Sequence, residues 1–197
     1  MRILRASGHR TMPWKNGGGS TTEIAVSPDG AGIDAFHWRI SIAVVAADGP
    51  FSEFPGVDRT LSILDGAGLV LRGIGAGPVR LDRTTPPLAF AADAAVSASL
   101  VDGPITDLNV MTRRGRFRDR TRRVIGNAEL EIADAAAPAL LLAATACRAA
   151  VDGLPAVDLG RLDALLIPAG SGRRLTVEGG AQGEAWLVEL LADSSLR

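Results

Sequence analysis

The 197-residue sequence predicts an all-β protein laid out as two successive series of strands. Three observations carry that expectation. The 23 Gly and 11 Pro are spread along the whole chain, as many short strands joined by turns require. Segments such as Trp38 to Ala43 (WRISIA) alternate bulky apolar residues with others at a period of two. Strand-like segments also lie on both sides of an arginine-rich stretch, Arg113 to Arg123. With 47% hydrophobic residues the chain can bury a substantial core, which excludes a disordered chain.

The elements follow in order. In WRISIA, Trp38, Ile40 and Ile42 share one face, while Arg39, Ser41 and Ala43 share the other. Arg59 to Gly73 (RTLSILDGAGLVLRG) reads as two strands joined by a tight turn at Asp65 to Gly68. VRLD and PPLAFAADAAVSASL follow as further strands. Asp107 to Met111 (DLNVM) closes the first series, with Asp107, Asn109 and Met111 on one face and Leu108 and Val110 on the other. The second series is AELEIAD, ALLLAATACRAAVDG, DALLIPAGSGRRLTVEG and AWLVELLA. Within it, LLLAATACRAA is also compatible with a helix, because Ala and Leu are strong helix formers. Seven arginines between Arg113 and Arg123 are hard to bury together, so that stretch reads as a solvated connection. The expected domains are 1–120, with an N-terminal arm, and 121–197.

The formal net charge of −1 excludes bulk attraction to nucleic acid or an anionic membrane. The halves differ in sign: residues through Arg123 include 16 basic and 12 acidic side chains, giving +4, and the rest 5 and 10, giving −5. The single cysteine, Cys147, forms no intramolecular disulfide and is expected to be a small buried hydrophobe. MRILRASGHRTM is too polar for a signal peptide, and the run AAAPALLLAATAC is too short for a membrane span, so a cytoplasmic protein is expected.

The string MPWKNGGGSTTEI from Met12, WRISIAVVAADGPFSEFPGVDRTLSILDGAGL from Trp38 and DLNVMTRRG from Asp107 together resemble the HutD/Ves family. The late segments LDALLIPAGSGRRL and AWLVEL also look like that family, so the resemblance covers nearly the whole chain. It implies two cupin-like (RmlC-like jelly-roll) β-barrels in one chain. It further implies an association with regulation of histidine catabolism, through a small acidic ligand such as formylglutamate.

A metal-dependent cupin gathers two or three histidines and a carboxylate around its ion. This sequence has only His9 and His37, without His-x-His spacing, and Arg173 stands in the turn PAGSGRR where such a protein often has His. No metal and no cofactor are therefore expected.

The stretch Trp14-Lys15-Asn16-Gly17-Gly18-Gly19 is the sharpest local feature, since its glycines let backbone N–H groups approach an anion. It lacks the Gly-Lys-Ser/Thr ending of a phosphate-binding loop. Lys15 is the chain's sole lysine against 20 arginines, which suits a compact ammonium aimed at a carboxylate. Arg39, Arg59 and Asn109 lie in or beside strands and could converge on one interior space, and Asn109 stands out because strands disfavour Asn. For Arg59 an ion pair with Asp58 is an equal alternative. Arg114 is a candidate for the rim. Glu23 and Glu53 read as surface residues, because a lone carboxylate has no catalytic role without a partner. No Gly-x-Ser-x-Gly elbow or triad is present.

These features favour a protein that binds a small anionic metabolite through Lys15, Asn16, Arg39, Arg59, Asn109 and Arg114, with no nucleic acid or membrane partner. Self-association is left open. The alternative is a metal-independent enzyme acting on a related small acid.

Overall fold

The computed structural model describes residues 1–134 and 136–193, so the last four residues assigned to the second domain lie outside the described residues. The protein is all-β: among the described residues, apart from a single 3-10 turn at Ala6–Gly8, the regular elements are strands. The chain divides into two compact units, and among the described residues none of the four sheets closes on itself.

The first unit covers Arg10–Arg118. Its six-stranded sheet runs in the order Arg10–Pro13, Gly19–Ser27, Trp38–Val45, Ile105–Arg113, Val57–Asp65, Leu88–Ala91. Its four-stranded sheet runs Gly49–Pro50, Ser97–Leu100, Leu69–Arg72, Val79–Leu81. Leu61 and Ile63 of the larger sheet pack with Leu69, Leu71 and Leu81 of the smaller, all essentially unexposed. Burial of each such side chain contributes about 1.5–3 kcal/mol.

Asp65 to Gly68 is a turn, as its sequence demands, with Gly66 at φ +93° and Gly68 at φ +98°. It does not make a hairpin. The strands on either side belong to different sheets, so the turn is a corner of the sandwich. A Cβ at Gly68 would come within 2.1 Å of the Leu81 carbonyl oxygen, which is why a second glycine is needed there.

The second unit joins Met1–His9 to Asp119–Ala192. The first residues therefore belong with the second half of the chain, because Arg2–Leu4 pairs antiparallel with Ala164–Ile167. The five-stranded sheet runs Arg2–Leu4, Ala164–Ile167, Ala139–Ala143, Glu184–Ala192, Phe117–Ile125. A four-stranded sheet, Ala128–Glu131, Arg174–Glu178, Cys147–Val151, Val157–Leu159, completes it. Between them lies an apolar core including Leu141, Leu165, Leu187, Val151 and Leu175. Cys147 is part of that core, where burial raises its thiol pKa. The segment LLLAATACRAA forms two strands, Ala139–Ala143 and Cys147–Val151, so tertiary pairing overrides its helical propensity.

None of the arginines between Arg113 and Arg123 is buried, as expected, but the stretch is not a mere connection. Phe117–Ile125 is a nine-residue strand beside Glu184–Ala192. Three of its arginines pair with that neighbour: Arg120 grips Glu189 through Nε and Nη2 at 2.7 and 2.8 Å, Arg122 lies 3.2 Å from the same carboxylate, and Arg123 Nε donates to Glu184 at 2.8 Å. Alternation aims these arginines at carboxylates some sixty residues further along the chain, a pairing that local composition cannot reveal.

Candidate functional site

The inward face of the six-stranded sheet is built by alternation on three adjacent strands. Arg39, Ser41, Ala43 and Val45 project from Trp38–Val45, and Asp107, Asn109 and Met111 from Ile105–Arg113. Arg59 projects from Val57–Asp65. Register aligns them, with Ser41 opposite Asn109, Arg39 opposite Met111, and Met111 in turn opposite Arg59. Together with the segment around Phe51 and the turn carrying Lys15 and Asn16, they line a cavity of about 680 Å³ inside the first unit.

The Lys15 turn is a closed hairpin connection between Arg10–Pro13 and Gly19–Ser27. Trp14 N–H donates to the Gly19 carbonyl at 2.9 Å, Gly17 N–H to the Trp14 carbonyl at 3.0 Å, and Gly18 N–H to Asn16 Oδ1 at 3.0 Å. Gly17 has φ +71°, and a Cβ at Gly19 would sit 2.2 Å from the Val44 carbonyl oxygen. The glycines thus shape the turn that carries Lys15 to the cavity. Trp14 Nε1 donates to Thr21 Oγ1 at 2.8 Å and anchors its base.

Arg59 is only 5% exposed. Its guanidinium lies 4.9, 5.5 and 5.9 Å from the ring centroids of Phe51, Phe54 and Phe90, and Nη2 makes a 3.4 Å contact to the Ser52 carbonyl. Burial, with repulsion from Arg39, lowers its pKa to about 10 against the attraction of Asp107, which leaves it charged at neutral pH. Its partner is not Asp58, which is held by Arg114 at 2.6 Å. Arg39 is also buried, and its Nε donates to Glu23 Oε2 at 2.7 Å.

Asp107 was placed on the right face by the sequence but carried no role there. It is wholly buried, and Asn109 Nδ2 donates to its Oδ1. Burial raises its pKa to about 7, although Arg59, the Ala43 backbone N–H and Asn109 all pull the other way. Among the described residues, Asp107 Oδ2 and Arg59 Nε are buried without any hydrogen-bond partner. Both side chains line the cavity, so an uncompensated acceptor or hydroxyl and an uncompensated cationic donor occur in one wall.

The cavity therefore brings together Lys15, Asn16, Arg39, Arg59 and Asn109. Arg114 is not among its lining residues. It binds both oxygens of Asp93 at 2.8 Å as well as Asp58, which holds Asp93 well below the usual carboxylate range. Glu53 is exposed, as expected, whereas Glu23 is engaged by Arg39. Neither His9 nor His37 lines the cavity, and the described residues contain no group of three or more His, Cys, Asp or Glu side chains able to hold a metal ion.

Comparison with known proteins places this geometry in context. The family model described as HutD matches residues 6–187. An uncharacterised 21.2 kDa protein in the hutC 3′ region of Pseudomonas putida is 35% identical over 193 residues, 98% of each chain. Protein Ves of Citrobacter koseri is 44% identical over 117 residues, 57% of this chain and 60% of its own. The solved structure of HutD from Pseudomonas fluorescens SBW25, in a formate condition, superposes with TM-score 0.82 at 34% identity, over 98% of this chain and 99% of that one. A cupin 2 conserved barrel domain protein from Leptotrichia buccalis shares the fold at TM-score 0.54 and 13% identity, over 93% and 96% of the two chains. The fold is cupin-like.

Proposed function

Because the chain belongs to the HutD family, we propose that it is a small-molecule-binding protein whose first unit holds a small anionic metabolite, such as formylglutamate, and whose occupancy bears on the regulation of histidine utilisation. The observation that carries this reading is that Arg59, whose buried Nε has no hydrogen-bond partner among the described residues, lines a cavity with Arg39 and Lys15. A buried cationic donor is costly to leave unmade, and an anion in the cavity would supply what it lacks. Asn16 and Asn109 add neutral polar groups that can fix orientation, against an apolar wall of Phe51, Phe54 and Met111. We read the two units as two cupin-like barrels, with the ligand in the first; the core of the second is filled by Leu, Val and Ala side chains. The hut designations of the relatives motivate the link to histidine utilisation.

A second reading, a metal-independent enzyme acting on a related acid, draws on Asp107, whose pKa of about 7 suits a general acid or base. Calorimetric titration with formylglutamate, glutarate and glutamate tests the binding reading. Saturable binding of an acid that is recovered unchanged is expected. Absence of binding by every acid would overturn it, and turnover would shift the case to the enzyme.

A further inference from the structure

Asp107 does something in this cavity that the basic residues do not. Its side chain is wholly buried among the residues that line the cavity, one oxygen accepts from Asn109, and the other has no hydrogen-bond partner among the described residues. Its register neighbours on the flanking strands, Ala43 and Ile63, carry no polar side chain. An ionised Oδ2 would be a desolvated charge without a hydrogen bond of its own, and the Arg59 charge and the Ala43 backbone N–H offset its burial only in part. A protonated one carries a donor that still needs an acceptor. Since Oδ1 already accepts from Asn109, the proton belongs on Oδ2, and its acceptor has to come from whatever fills the cavity.

The charged groups that face Asp107 are few and come from each neighbouring strand. Arg59 projects from Val57–Asp65, and Arg39 from Trp38–Val45, with its Nε taken by Glu23 of Gly19–Ser27. Lys15 and Asp48 are exposed and line the cavity from the connecting segments. Arg59 acts on Asp107 through its charge, while its Nε remains unpartnered.

We propose that Asp107 recognises the bound acid as a neutral carboxylic acid, donating from Oδ2 to a carboxylate or carbonyl oxygen of the ligand while Arg59 supplies the opposing charge, so that filling the cavity above neutral pH takes up one proton. This rests on the ligand-binding reading above and adds to it the chemistry that the site selects. The proton passes from solvent to Oδ2, and no covalent bond to the ligand forms or breaks. Burial already raises the pKa of Asp107 to about 7, and an anion beside it favours the neutral form further. A group that presents only acceptors is accepted at this point, and an ammonium is refused.

Titration calorimetry of the wild-type protein with formylglutamate, in buffers of differing ionisation enthalpy, counts the protons directly. Uptake of about one proton per ligand is expected at pH 8 and almost none at pH 5.5, with affinity falling about tenfold per pH unit above about 7. Asp107→Asn retains an N–H donor, so it should bind without proton uptake and with affinity level across that range. Binding at pH 8 without proton uptake would overturn the role of Asp107 and leave the ligand-binding reading standing. No binding at either pH would overturn both. Should Asp107→Asn fail to fold, the wild-type proton count decides the matter alone.

Discussion

The guanidinium of Arg59 lies 4.9 Å from the centre of the Phe51 ring, and Phe54 and Phe90 stand close on its other sides. A buried cation held among aromatic rings, with its Nε unpartnered, carries a cost to the fold that a bound anion would offset. Arg59→Met keeps the packing volume and removes the charge. Its thermal stability should equal or exceed that of the wild type, while affinity for small acids falls by at least about tenfold, as loss of a charge-assisted hydrogen bond implies. A fall in stability of more than about 2 kcal/mol would show that the arginine serves the fold.

Lys15 sits exposed on its hairpin turn beside the cavity. Lys15→Ala should weaken binding of formylglutamate by about 1.5–3 kcal/mol, or ten- to a hundredfold, and leave the melting temperature unchanged. Lys15→Arg should restore part of that affinity, because the charge returns with a different donor geometry. Unchanged calorimetric affinity in Lys15→Ala would remove Lys15 from the site.

Asp107 also makes stability depend on pH. Its native pKa, raised by burial to about 7, lies above the ordinary value of 3.8 that it regains on unfolding. Between those limits the native state binds more protons than the unfolded state, so its contribution declines as pH rises through that window and levels off above about 7. Urea midpoints measured from pH 5 to 8.5 should fall more steeply for the wild type than for Asp107→Asn. Parallel curves would show that Asp107 titrates normally.

In the second unit, Glu189 is 1% exposed and accepts from Arg120 twice, from the Ala133 N–H at 2.7 Å, and pairs with Arg122 at 3.2 Å. Arg120→Met should lower unfolding free energy by about 1.5–3 kcal/mol, since it strips two charge-assisted bonds from a buried carboxylate. Chemical denaturation measures this, and a loss below about 0.5 kcal/mol would show that Arg122 and Ala133 suffice.

Period-two alternation made much of the first unit legible. It separated Arg39 from Trp38 and put Asp107, Asn109 and Met111 on one face, and that face lines the cavity. Asn109 could be singled out because an amide is unusual in a strand. Asp107 could not, since a buried carboxyl and a solvated one read alike until the neighbouring strands are known. The arginine stretch misled in another way: its side chains are solvated as read, but it is a strand rather than a connection, and Glu184 and Glu189, which pair with Arg120, Arg122 and Arg123, come late in the chain. Arg2–Leu4 was illegible, being three residues long, and the Asp65 to Gly68 turn revealed a reversal but not which sheet would receive the next strand.

The pairing of Arg2 with Leu166 sets a timetable for synthesis. The edge strand is translated some 160 residues before its partner, about 8–30 s at 5–20 residues per second. Within that interval Arg10–Arg118 acquires all ten strands of its two sheets and can complete its own core. The second unit has to wait for its final strands, while Arg2–Leu4 stays unpaired. A gene fragment beginning at Asp119 would therefore encode a sheet missing the strand that covers the outer side of Ala164–Ile167, with that edge open to pairing between chains.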